Sequence, residues 1–204
     1  GSPSRDSRNL LPKELETLIE HVGDLAHRTQ ESMGSGFYQG NIQRKLNLIL
    51  QYDSPSDLRE VIEDQRRRDA EEFVFNKDPQ FVSINKERDS IIDSDRIDAL
   101  KESRKYLRSK GFESLSDFYD YYRNVYANEV ESEIQRNQQA SEEALASYAR
   151  AHEEHSKPVT KAGVIGKEMA ILLGRGDYEG LYAKAEQLQS MVNKYNSLPR
   201  DKAE

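Results

Sequence analysis

The six prolines all lie outside the stretches of helical apolar periodicity, and this placement constrains the fold more than any other feature. Proline inside a helix removes a hydrogen bond and clashes with the preceding turn, so it belongs at helix starts and in connections. Pro12 precedes apolar residues that recur at helical spacing from Leu15 to Ala26. Ser54 and Pro55 are typical of an N-cap and a first helical residue. The sequence therefore predicts an all-α fold with helices separated at prolines.

Apolar spacing and glycine positions predict the other helices. After the first helix we expect helices at about residues 37–52, 55–73, and from Ser90 or Ser94 to Lys110, where Gly111 supplies a left-handed stop. One long helix at about 114–156 follows, and then a C-terminal helical hairpin with helices at about 160–173 and 177–195. The predicted fold is an elongated multi-helix bundle of about six or seven helices.

The predicted long helix has no proline or glycine from Glu113 to Lys157. At 1.5 Å per residue it could extend on the order of 60 Å. Its apolar stripe becomes polar at Asn137, Gln138 and Ser141, so a continuous helix and a helix broken near residue 140 both remain open.

Residues 73–84 are the one place where short apolar runs flank a turn composition. A small β-hairpin is conceivable there, but an isolated two-stranded hairpin is marginally stable. The sequence favours a loop whose phenylalanines close the end of the bundle.

Four segments are predicted along the chain. Residues 1–9 are a flexible tag or linker beginning with a cloning scar, 10–157 the main helical bundle, 158–196 the hairpin packed on that bundle, and 197–204 a flexible tail. Linker-like ends suggest a fragment of a larger protein. The segment from Ala170 to Glu179 resembles the inter-helix turn of tetratricopeptide hairpins, but no second copy follows at a period of about 34 residues, so only the local hairpin shape is implied.

Composition excludes several classes of protein. A net charge of −7 disfavours general nucleic-acid binding unless a basic patch is segregated. The absence of cysteine excludes disulfides and thiolate chemistry. No apolar run approaches the roughly 20 residues of a membrane span, and no signal peptide opens the chain. We expect a cytoplasmic protein, or one delivered into a host cytoplasm if it is an effector, and not a transmembrane one.

No catalytic, cofactor-binding or metal site is predicted. His152 and His155 lie one turn apart, but His152 also continues an apolar stripe, so packing explains it better than a metal ion. The Gly166-Lys167 pair is not part of a phosphate-binding loop, because Lys161 and Glu168 stand where glycine and a hydroxyl residue are needed. Close helix packing, or a frayed helix start, is the better explanation of the glycine.

Two features are candidate partner-binding surfaces. One is a basic helix face opposite Ala99, Leu100, Ser103, Tyr106 and Leu107; its cations are Lys101, Arg104, Lys105 and Arg108. These cations could bind an acidic protein, an anionic membrane or nucleic-acid phosphates. The sequence slightly favours pairing with acidic faces of neighbouring helices instead.

The second feature is an aromatic run from Asp117 to Tyr126, with five aromatic residues in ten. Helical spacing places most of them on one core-facing stripe, together with Leu115 and Val125. Tyr121 lies off that stripe, and tyrosine is enriched at protein interfaces. It is therefore a candidate contact residue.

Together these features predict a non-enzymatic protein interaction domain, an adaptor or scaffold without a cofactor. Another protein is the expected partner, and self-association is possible. The alternatives are a module that binds an anionic membrane or nucleic acid through the basic face, and a domain of a secreted bacterial effector.

Overall fold

A computed structural model describes residues 12–31, 36–155 and 160–196. Within these ranges the chain forms nine helices and no strand, which confirms the all-α prediction. The helices are α1 Pro12–Glu31, α2 Gly36–Leu50, α3 Pro55–Phe75, α4 Pro79–Ile92, α5 Ala99–Ser109, α6 Leu115–Val125, α7 Ala127–His155, α8 Lys161–Gly174 and α9 Tyr178–Asn196.

The chain divides into two compact units. One comprises the described residues up to Arg66 and from Asn137 onward, and the other is Arg67–Arg136. Helices α3 and α7 contribute residues to both units. The segment boundaries predicted after residues 9, 157 and 196 stay predictions.

In the first unit, α1, α2, α9 and α8 each contact the next helix in a closed ring. Helices α1 and α8 approach closely at Gly23 and Gly166, where a Cβ atom on Gly166 would overlap the Cα of Gly23. The predicted role of Gly166 in close helix packing is therefore confirmed. The hydroxyl of Tyr148 donates to the Glu20 carbonyl at 2.9 Å and so ties α7 to α1.

The C-terminal helix pair has the turn that its sequence predicts. Thr160 caps α8 by accepting from the Gly163 amide at 3.0 Å. Gly176 lies just after the end of α8 with a φ of 73°, a left-handed conformation that glycine adopts at little cost. Asp177 then caps α9 by accepting from the Gly180 amide at 2.9 Å.

The core of the 67–136 unit is aromatic. Phe81 packs against Phe118 with ring centroids 5.2 Å apart and against Tyr122 at 5.0 Å. Phe75 reaches Phe81 at 5.2 Å. Gly111, at φ 94°, ends α5 as predicted, and Ser114 caps α6 by accepting from the Asp117 amide at 3.1 Å. The aromatic run thus mostly fills a core.

The prediction for residues 73–84 is wrong, because two helices cover almost the whole segment. Helix α3 ends at Phe75, and α4 begins at Pro79. Asp78 caps α4 by accepting from the Gln80 amide at 2.9 Å, so the pair Asp78-Pro79 is a helix start. Phe75 and Phe81 lie in the core, whereas Phe73 is half exposed below the Lys77 ammonium group.

The predicted single helix at about 114–156 is also wrong. A break at Tyr126, whose φ is −107° and ψ is 22°, separates α6 from α7. No break occurs near residue 140, because α7 is continuous from Ala127 to His155. Val125, predicted to face the core, is 51% exposed at the end of α6. The helix predicted from Ser90 or Ser94 to Lys110 corresponds to α5, which begins only at Ala99, and residues 79–92 form a separate helix, α4, that was not predicted. The unpredicted helix α4 and the division at Tyr126 raise the helix count among the described residues from the predicted six or seven to nine.

Candidate functional site

The basic face predicted from the sequence lies on α5, and all four of its cations are exposed. The opposite face of α5 buries Ala99, Ser103 and Leu107. The width of α5 alone therefore separates the four cations from the core of the 67–136 unit. The four cations are Lys101, Arg104, Lys105 and Arg108.

Internal ion pairs account for only part of the basic face. Arg108 lies 3.7 Å from Glu113, which is in the connection between α5 and α6 rather than on the acidic face of a neighbouring helix. Lys101, Arg104 and Lys105 have no ion pair with any described residue. Three cations on one short helix are thus left to solvent or to a partner.

Sequence reasoning placed Leu100 on the buried side of this helix, and this is wrong. Leu100 is 75% exposed, and Ile97, just before α5, is fully exposed. The signal was present, because Leu100 precedes Arg104 by four residues and must share its face. Two aliphatic side chains therefore stand beside the unpaired cations.

Acidic side chains border the same site from the N-terminal side. All three are exposed, and none has an ion pair within the described part of the chain. The three are Asp93, Asp95 and Asp98. Arg96, which lies among them, is neutralised by Glu102 at 2.8 Å. Charge in this segment is therefore separated, with acids first and bases after.

Tyr121 lies on α6, outside the core, as its spacing predicts. It is 48% exposed, and its ring rests on Phe112 at 5.6 Å and on Tyr122 at 5.1 Å. Val125, one turn later, is 51% exposed. These two residues form an apolar strip, and Asp117, one turn before Tyr121, is exposed at its end. No aromatic or cation–π contact of Tyr121 involves the cations of α5.

A groove of about 370 Å³ lies between α3, α4 and α6 on a different side of the 67–136 unit. Its main polar groups are already paired with one another. The Arg123 guanidinium donates to Glu71 at 2.8 Å and lies 5.7 Å from the centre of the Tyr119 ring. The hydrogen bond to Glu71 raises the pKa of Arg123. The Arg123–Glu71 pair thus forms part of the groove lining, together with the exposed side chain of Glu72.

Asp78 and two tyrosines form a further polar cluster. The Tyr126 hydroxyl donates to Asp78 at 2.7 Å, which lowers the pKa of Asp78 and raises that of Tyr126. Burial, together with the nearby charge of Asp78, raises the pKa of Tyr122 to about 12. The buried Tyr122 hydroxyl has no hydrogen-bond partner. A phenol that ionises so late is a poor acid near neutrality, so the cluster serves packing and capping.

The described residues contain neither a cluster of metal ligands nor a helix suited to cross a membrane. Residues 13–26, 42–151 and 160–194, whose side chains are described, include no group of three or more potential metal ligands. The side chains of His152 and His155 lie outside those residues. No helix within the described ranges is long and apolar enough to cross a bilayer.

Comparisons of the chain with protein-family models, curated protein sequences and solved structures found no significant match.

Proposed function

We propose that this chain is a non-enzymatic helical interaction domain that binds a basic amphipathic helix of another protein through Tyr121 and Val125. The single observation that carries the proposal is the half exposure of both side chains on one face of α6. A pair of apolar residues one turn apart is the spacing that recognises the apolar side of a partner helix.

The strip is pre-organised for binding. Tyr121 is held against Phe112 and Tyr122, whose rings belong to the packed aromatic cluster. A side chain that is already ordered loses less conformational entropy on association. Tyrosine also contributes a large apolar area together with one polar tip, which is why it is common among the residues that dominate binding.

Charge indicates the sign of the partner. Asp117 is exposed one turn before Tyr121, and the whole chain carries a net charge of −7. A basic helix gains from both, locally at Asp117 and at long range during approach. A partner with an apolar stripe flanked by lysine or arginine fits this face.

Site-specific photocrosslinking tests the proposal. A photoreactive phenylalanine replaces Val125 in the full chain, and the same group at exposed Lys86 on α4 is the control. We expect one crosslinked protein from position 125 in an extract of the source cells and none from position 86. Tyr121→Ser and Asp117→Lys should each reduce its yield about tenfold or more. A crosslink that survives both substitutions, or no crosslink, contradicts the proposal.

A second candidate function is binding of an anionic membrane or nucleic acid through the basic face of α5. The absence of ion pairs at Lys101, Arg104 and Lys105 favours it. However, three unpaired aspartates lie just before the helix, so the segment presents no net positive charge to a polyanion. Non-specific attraction to phosphate depends on such an excess, and this candidate therefore ranks second.

A further inference from the structure

The segment from residue 93 to 105 has three parts with different chemistry. The acidic group precedes the helix, the apolar pair stands at its start, and the basic group lies along it. The acidic group is Asp93, Asp95 and Asp98. The apolar pair is Ile97 and Leu100, and the basic group is Lys101, Arg104 and Lys105.

We propose that this segment is a homodimer interface, in which it pairs antiparallel with the same segment of a second copy of the chain. A twofold axis passing near the apolar pair places the acidic group of one copy opposite the basic group of the other. The same contact is then made twice, as in any isologous interface.

The charge order singles out a second copy as the occupant. Three acids and three bases cancel, so a uniformly charged surface such as an anionic bilayer gains little from the whole segment. A surface with the reverse order of charge gains at both ends. The segment itself, turned through 180°, has that order.

Local structure keeps the two groups apart rather than letting them neutralise each other. Arg96 and Glu102 interrupt the order of charges, but they are paired with each other at 2.8 Å, so their charges cancel. The six remaining charges have no ion pair among the described residues. Six unpaired charges in one short segment are the pattern that pairing between copies would satisfy.

The apolar pair supplies the centre of the contact. Ile97 is fully exposed, and Leu100 is 75% exposed; no other large hydrophobic residue is as exposed in the part of the chain that the structure describes. Burial of large aliphatic side chains drives association, and surrounding charges set the register. Because the segment is short, we expect a weak dimer, with a dissociation constant on the order of 10 µM.

Sedimentation equilibrium of the full chain tests the proposal. The wild type should shift from 23.5 kDa to twice that mass with rising concentration. Leu100→Ser should weaken the dimer about tenfold or more, because the leucine is buried twice in a symmetric contact. Val82→Ser, at an exposed residue of α4, is the matched control and should leave the dimer unchanged.

Charge reversal identifies the interface itself. An all-acidic variant carries glutamate at the basic group, and an all-basic variant carries lysine at the acidic group. Each variant alone should be monomeric, whereas their equimolar mixture should form a heterodimer at least as tight as the wild-type dimer. Because all six positions lie on the surface, circular dichroism should show the helix content of the wild type in both variants.

Several outcomes would overturn the proposal. These are a wild type that stays monomeric about tenfold above the expected dissociation constant, a dimer that survives both charge reversals, and variants that fail to associate when mixed. Binding of the monomeric wild type to phosphatidylserine vesicles, lost on reversal of the basic group, would assign the segment to a membrane instead. The photocrosslinking result at residue 125 is independent of all of these.

Discussion

The aromatic side chains of the 67–136 unit divide into those that are buried in its core and those that rest on the core but remain exposed to solvent. Phe118 and Tyr122 are almost completely buried, while Tyr121, which lies between them in sequence, is half exposed. Helical spacing explains this division, since residues 118 and 122 are one turn apart and residue 121 is not on their face. Hydrogen bonding is less predictable, because the partner of a tyrosine hydroxyl depends on packing across the unit.

Tyr122→Phe should leave the protein as stable as the wild type or stabilise it by up to about 1 kcal/mol, because it removes a buried hydroxyl that has no partner. Tyr122→Ala should destabilise it by about 3–5 kcal/mol, because it leaves a cavity in the aromatic cluster. Urea unfolding monitored by circular dichroism measures both changes. A loss above about 1 kcal/mol in Tyr122→Phe would mean that the hydroxyl is hydrogen-bonded.

At the scale of helices, local signals predict most starts and stops. Pro12 and Pro55 begin helices, and Gly111 ends one, because proline and glycine act on the backbone of their own turn. The start at Pro79 was missed because the flanking apolar runs suit a turn between strands equally well. The break between α6 and α7 at Tyr126 carries no such residue. It coincides with a hydrogen bond to Asp78, a contact 48 residues away in sequence that no local pattern contains.

The contribution of the Tyr126–Asp78 hydrogen bond to the stability of the protein depends on pH, because both groups can ionise. The bond lowers the pKa of Asp78, so its stabilisation is complete above the unfolded value of about 3.9 and is lost as pH falls through the lower folded value. The same bond raises the pKa of Tyr126, so its stabilisation is complete below the unfolded pKa of about 10 and is lost as pH rises through the higher folded value.

Tyr126→Phe should therefore lower the melting temperature at neutral pH, and the difference from wild type should shrink at both extremes. Melting temperatures measured by differential scanning calorimetry from about pH 3 to pH 11 test this. The control is Tyr119→Phe, which removes a phenol on α6 whose hydroxyl lies 3.4 Å from Asn85, a residue that does not ionise. A Tyr126→Phe difference that does not change with pH would contradict the assigned bond.

At the scale of the whole chain, the sequence predicts the fold class but not its division. An all-α fold follows from periodicity alone, whereas the boundaries at Arg66 and Asn137 fall inside the continuous helices α3 and α7. No proline, glycine or linker composition marks such a boundary, so a sequence read for linkers cannot find it. The sequence predicts part of each candidate surface, since the positions of Tyr121 and of the cations of α5 follow from helical spacing. Exposure of Leu100 and Val125 depends on where neighbouring elements end.

The two units also differ in the size of their cores. Among the described residues, twenty-two buried hydrophobic residues form the core cluster of the first unit, and nine form the core cluster of the 67–136 unit. The free energy of local opening rises with the buried apolar area that a region holds, so the smaller cluster should open at lower cost.

Native-state hydrogen exchange in increasing denaturant measures this difference directly. Amides around Phe118 in α6 should exchange through an opening that costs a few kcal/mol less than the opening that exposes amides around Met169 in α8. Phe118→Ala should lower the first opening free energy by about 3–5 kcal/mol and the second by less, and Met169→Ala, by about 2–5 kcal/mol, should do the reverse. If either substitution lowered both openings equally, the two units would unfold as one, because the continuous helices α3 and α7 would then couple them completely.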